Sequence, residues 1–235
     1  MSKSKWFSLS IAGLAISTSV QAAPITAVNY DTLNVGAMIV GPAGPEVETS
    51  LINSEGDSIG DLVSSVSCPA GFSECIPPDN SPGTIYTYAH TVTPGVDNPN
   101  DAPFPNPPTV KEFNNVAQFA LHFTAYGFNG VAGYSFGDAN NAGVTFAIST
   151  NETGQIIWET TSLDWNSGET ITFFWQTTQP PTGPGGEYGI SNDQGGGQGE
   201  GPLPAEPVDV TEPFAAIMFV LMGLALYRRE PNQSV

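Results

Sequence analysis

Two histidines, two cysteines and a scatter of carboxylates are the groups from which this 235-residue chain could build proton transfer, covalent chemistry or metal binding. His90 and His122 are far apart in sequence, so a shared acid–base site would need a fold that brings their two strands together. Glu159 and Asp164 flank a turn beside Trp158 and Trp165. Paired carboxylates can do acid/base work on a glycosidic bond, and indoles can stack on sugar faces. The plainer reading is structural histidines, chance carboxylate neighbours in an acidic chain, and tryptophans that fill a core. We favour it because the chain has no G-x-S-x-G, H-E-x-x-H, Walker loop or dinucleotide fingerprint. The expectation is a protein that is not an enzyme and carries no resident cofactor.

Cys68 and Cys75, in the segment CPAGFSEC, are the only cysteines. A metal site would want two more soft ligands close by, and neither histidine is adjacent in sequence. An even count in an exported chain reads as a disulfide, which for so short a loop stabilises by about 2 to 3 kcal/mol on the chain-entropy model. Asp57 with Asp61, and Asp97 with Asn98, Asn100 and Asp101, are the best oxygen clusters for Ca²⁺. They are weak, since no D-x-D-x-D-G loop is present.

Strands have to position these groups. Apolar residues alternate at period two between Gly, Pro, Asn and Asp, and amphipathic helical periodicity is nearly absent. Residues 25–30, 35–40, 58–66, 84–92, 116–123, 131–136, 143–149, 155–161 and 170–177 are the candidate strands, with 41–67 the most ambiguous stretch. Tyr86, Tyr88, His90 and Val92 share one face, which packs, while Thr87, Ala89 and Thr91 share the other, which is wet. Asn151-Glu152-Thr153-Gly154 and Trp165-Asn166-Ser167-Gly168-Glu169 read as the turns of two consecutive hairpins. Val144, Phe146 and Ile148 then face Ile171, Phe173 and Trp175 across a common core. Eight to ten short antiparallel strands on this pattern predict an all-β body, an antiparallel β-sandwich or jelly-roll-like domain over residues 23–190. Tyr188 and Ile190 are a candidate last edge strand. The Gly/Pro-rich tract over 191–210 reads as a flexible linker, with an end-to-end distance of about 26 Å when counted to Glu212.

Both ends have a different character. Lys3 and Lys5 precede an apolar run, and small residues at Val20-Gln21-Ala22 suit cleavage between Ala22 and Ala23, so residues 1–22 are expected to be a signal peptide. Residues 214–227, FAAIMFVLMGLALY, carry no charge and precede Arg228 and Arg229. At about 1.5 Å per residue they reach roughly 21 Å as a helix, a marginal membrane span. Lys111 is the only cation between the two basic ends, in a chain of 23 carboxylates and net charge −18. Such a field opposes phosphate backbones and excludes nucleic acid as a partner. It fits a chain threaded through a membrane with its basic ends left inside.

Thr211-Glu212-Pro213, the short apolar helix and the arginine pair over 211–230 together resemble the PEP-CTERM sorting signal of bacterial proteins handled by exosortases, in a Thr-Glu-Pro variant. The resemblance covers the signal peptide and roughly the last 25 residues, so it speaks to destination. It implies secretion machinery and an exosortase-type processing enzyme as partners, with membrane attachment, transient or stable, through the C-terminal segment. It also implies delivery to the cell surface or matrix of a bacterium that makes extracellular polysaccharide, itself a candidate partner. The expected function is an exported, non-catalytic surface or matrix protein. A carbohydrate- or calcium-binding module is the first alternative and a secreted glycan-active enzyme the second.

Overall fold

A computed structural model describes residues 23–39, 47–77, 80–98, 108–162 and 164–207. The residues of the expected sorting signal, Thr211, Glu212, Pro213, Arg228 and Arg229, the apolar run 214–227, Ala22 and the rest of the expected signal peptide, and Asn100 and Asp101 lie outside that set. Among the described residues no helix is long and apolar enough to cross a membrane.

Among the described residues thirteen strands form one sheet. They are β1 (Ala23–Ile25), β2 (Val28–Asn29), β3 (Val35–Met38), β4 (Val47–Asn53), β5 (Ser58–Pro69), β6 (Tyr86–Pro94), β7 (Gln118–Leu121), β8 (Phe128–Tyr134), β9 (Phe146–Thr150), β10 (Ile156–Thr160), β11 (Ile171–Thr177), β12 (Pro181–Asn192) and β13 (Gly195–Pro204). The spatial order is β1-β9-β10-β7-β12-β13-β4-β5-β6-β11-β8-β2, with β3 paired to β5 off this path. β1 and β2 hold opposite ends of that order, yet only Thr26 and Ala27 separate them. Since so short a link spans roughly 10 Å, the two far edges must meet, and the sheet curls on itself. The all-β expectation holds.

Curling turns the inner faces of the two halves toward each other, and aromatic rings fill the space between them. Phe173 on β11 lies 4.7 Å from Phe119 on β7, 5.0 Å from Phe146 on β9 and 5.7 Å from Trp158 on β10, centroid to centroid. The expected meeting of β9 and β11 across a shared core is therefore present. Trp158, Trp165 and Trp175 are fully buried. Each indole N–H has an acceptor: Trp158 donates to the Gly133 carbonyl at 3.0 Å and Trp165 to the Glu169 carbonyl at 2.8 Å, while Trp175 donates to His90 Nε2 at 3.2 Å. Buried indoles need this satisfaction, or the unpaired N–H offsets what their area contributes.

Cys68, at the end of β5, and Cys75 are joined in a disulfide with a Cα–Cα distance of 5.6 Å, and both are buried. It fastens the Pro69–Glu74 loop to the strand that supports β3.

Four expectations are corrected. The first turn, at Asn151, makes a hairpin of β9 and β10, organised by the Asn151 side-chain oxygen accepting from the Thr153 and Gln155 amides. The second does not: β11 pairs with β6 and β8, so the chain crosses between the two halves there. Trp165 fills the core at that crossing, and burying the indole outweighs the local turn preference. The outer face of β6 is also drier than alternation implies, since Thr87 and Ala89 are buried. Gln176 on β11 donates to Thr87 Oγ1 at 3.1 Å, and neighbouring Phe174 packs on Tyr30, whose segment crosses that face. A seven-residue helix, α1 (Phe136–Ala142), follows β8, capped by Ser135 accepting from the Asp138 amide and closed by Gly143 at φ 73°. It is too short to carry a periodic signature.

The largest correction concerns residues 181–204. They form the long hairpin β12–β13, which joins β7 to β4 in the middle of the sheet, in place of an edge strand and a flexible linker. Glycine normally weakens a strand, but here neighbouring side chains use the missing Cβ atoms. A Cβ on Gly201 would lie 2.7 Å from the Tyr188 ring, and one on Gly197 would lie 2.8 Å from Ile59 Cγ1. The prolines are accommodated where the register slips, at Pro181/Gly183 and Pro184/Gly186.

Candidate functional site

His90 is fully buried on β6 between the two halves. Trp175 Nε1 donates to its Nε2, so in the neutral ring Nδ1 carries the proton and donates to Ser64 Oγ at 2.9 Å. The Tyr188 ring packs on it at 4.2 Å. Desolvation pushes the imidazole pKa down to about 3, because a charged ring would lose its water without gaining a carboxylate partner. Ser64 and His90 are thus in contact, but the imidazole presents a proton to the serine where a general base would present a lone pair. This pair holds strands together.

His122 points the other way. It is exposed just past the end of β7, and its Nδ1 lies 3.1 Å from Gln198 Oε1. The two histidines therefore occupy opposite faces and share no site. The Trp158 and Trp165 indoles are sealed in the core, which leaves exposed Glu159 and Asp164 without the aromatic sugar platform weighed for them.

The candidate oxygen clusters are regrouped by the fold. Asp57 pairs with Lys111, 3.8 Å from carboxylate oxygen to Nζ. Asp61 on β5 is buried and accepts from Asn98 Nδ2 at 2.7 Å, while Ser50 on β4 donates to Asp97 Oδ1 at 2.6 Å. Because Ser50 and Asp61 are cross-strand partners, these four side chains knit β4 and β5 to the segment after β6. Among the described residues no three His, Cys, Asp or Glu side chains are grouped to hold a metal ion.

A concavity with convergent uncharged polar groups lies on the outer face of β7, β12, β13 and β4. It is a groove of about 410 Å³. Gln118, His122 and Gln198 line one part, Asn53 and Ser54 another, and Gly189, Gly196 and Gly197 form a floor with no side chains. His122 fits only because residue 189 is glycine: a Cβ there would lie 2.9 Å from the ring's Cε1. Sequence reasoning missed this groove because Ser191, Gly196, Gly197 and Gln198 come from the tract read as a linker. The available signal was the alternation Gly197-Gln198-Gly199-Glu200-Gly201, a period-two strand pattern with glycine in the inward places.

Comparison with protein-family models, with curated proteins and with solved structures found no match to this chain.

Proposed function

We propose that the chain is an exported, non-catalytic surface or matrix protein. In this reading residues 1–22 direct secretion and are removed. Residues 211–230 form a PEP-CTERM-like sorting signal that an exosortase-type enzyme recognises. The folded body is a jelly-roll-like sandwich, its layers the two halves of the curled sheet.

The observation that carries the proposal is the placement of charge and sulfur together. Basic residues sit at the two ends, a single lysine stands in the acidic body, and the only two cysteines are joined within that body. Disulfides persist in oxidising compartments, and cationic flanks stay on the cytoplasmic side of a bilayer. The non-catalytic part rests on His90, whose two ring nitrogens are both engaged inside the core, and on the separation of His122 from it.

Intact mass of the protein released from the cell surface tests the sorting step. The expected mass begins at Ala23 and lacks Arg228 and Arg229, since an apolar run of this length is marginal for permanent residence in a bilayer. A released protein whose mass still includes both arginines overturns it.

A further inference from the structure

We infer that the groove over β7, β12, β13 and β4 is a binding site for a neutral, linear polysaccharide. This goes beyond the export proposal and does not depend on it, because binding is read on purified protein.

The lining is unusual for this molecule. In a chain of net charge −18, the residues around the groove include no carboxylate, no lysine and no arginine. Polar capacity comes from neutral amides, the Ser54 and Ser191 hydroxyls and one imidazole. Gln118 has no side-chain hydrogen-bond partner among the described residues, so both ends of its amide are available on a strand held rigid on both sides by β10 and β12. Gln198 accepts from His122 Nδ1, which leaves its NH₂ as donors and His122 Nε2 as an acceptor. Asn53 uses its oxygen on the Glu55 and Asp57 amides at 2.9 Å each, which orients its NH₂ as a further donor. Fixed donors and acceptors side by side suit vicinal hydroxyls, since each hydroxyl both donates and accepts.

Other ligand classes fit less well. A polyanion would meet no cation in the groove itself, and in the adjoining depression only Lys111, which lies 3.8 Å from Asp57 and beside Glu55 and Glu112. A peptide strand binding by sheet extension needs a free edge, yet β7, β12 and β13 are each paired on both sides along the groove. The glycine floor places no side chain across the groove. It continues past Asn53, Ser54 and Gly196 into a second depression of about 210 Å³, where Glu55, Lys111 and Glu112 stand beside Phe113 and Gln194. An elongated surface of this kind accommodates a run of sugar residues better than a single enclosed one.

The test is calorimetric titration of the full chain, purified in a detergent without a sugar headgroup, against dextran, mixed-linkage β-glucan and galactomannan. Alginate and an uncharged Ser/Gly peptide serve as comparators. Expected is saturable binding of at least one neutral glycan, with an association constant that changes less than about twofold between about 0.05 and about 0.5 M NaCl. Gln118→Ala and Gln198→Ala should each weaken it about tenfold, the size of one lost hydrogen-bonding side chain. Gln198→Glu, which keeps the acceptor toward His122 and removes the donors, should weaken it as much. Asn129→Ala, on β8, should not. No saturable binding of any neutral glycan by protein that still unfolds cooperatively would overturn the inference. So would binding that all three glutamine variants leave unchanged, or binding of alginate or the peptide alone.

Discussion

Lowering the pH from about 7 to about 4.5 is expected to cost the native state about 2 to 3 kcal/mol through His90 alone. Burial takes the ring's pKa in the folded protein down to about 3, from an ordinary histidine value of 6.5. A depressed histidine pKa means that the unfolded chain takes up the proton first. The contribution is therefore fully present above pH 6.5, and it drains away as the pH falls toward 3, at up to about 1.4 kcal/mol per pH unit. Its neighbours offer no relief: Tyr188 is itself held neutral, its phenol pKa raised chiefly by burial, and Ser64, Trp175 and Phe119 carry no charge. Urea unfolding across this range measures the slope, and His90→Gln isolates the residue, since glutamine can still accept from the Trp175 indole. The stability gap between the two proteins should narrow by about 2 to 3 kcal/mol on acidification. A constant gap would mean that His90 is protonated, or hydrated, in the native state.

Phe173→Ala should destabilise the domain by about 3 to 5 kcal/mol. Phe173 is fully buried, and its ring meets four others: Phe119, Phe146, Trp158 and Trp165, the last at 5.5 Å. These partners come from β7, β9, β10 and the crossing segment, so the truncation opens a cavity walled by rigid aromatic rings that collapse poorly into it. Thr172→Ala, one residue earlier on the outward face, should cost less than about 1 kcal/mol. Denaturant midpoints at constant m-value measure both. Equal effects at the two positions would contradict a core shared by the two halves of the sheet.

What the sequence made legible was side-chain alternation. Tyr88, His90 and Val92 on one face of β6, the Asn151 turn and the burial of Trp158, Trp165 and Trp175 follow from period-two patterning and hydrophobicity. Partner choice was not legible. The segment after β10 carries turn chemistry as good as that of Asn151, yet the chain crosses to the other half there, because Trp165 finds its burial among Phe146 and Phe173. The Gly/Pro tract was misread for a related reason. A strand's hydrogen bonds belong to its backbone, so residues 195–204 can complete a ladder while offering almost no apolar side chain to a periodicity argument. Their contribution is space, taken up by Tyr188 and Ile59. The groove was hidden with them, since Gln118 and His122 are ordinary polar residues until β12 and β13 lie beside them.

We propose that this oxidised, acidic β-domain works outside the cytoplasm. Alkylation of intact cells with a membrane-permeant thiol reagent, followed by fractionation and mass measurement, tests it most directly. Expected is the protein in the surface or extracellular fraction with Cys68 and Cys75 joined and unalkylated. Full-length chain in the cytosol, alkylated at both cysteines, would contradict it.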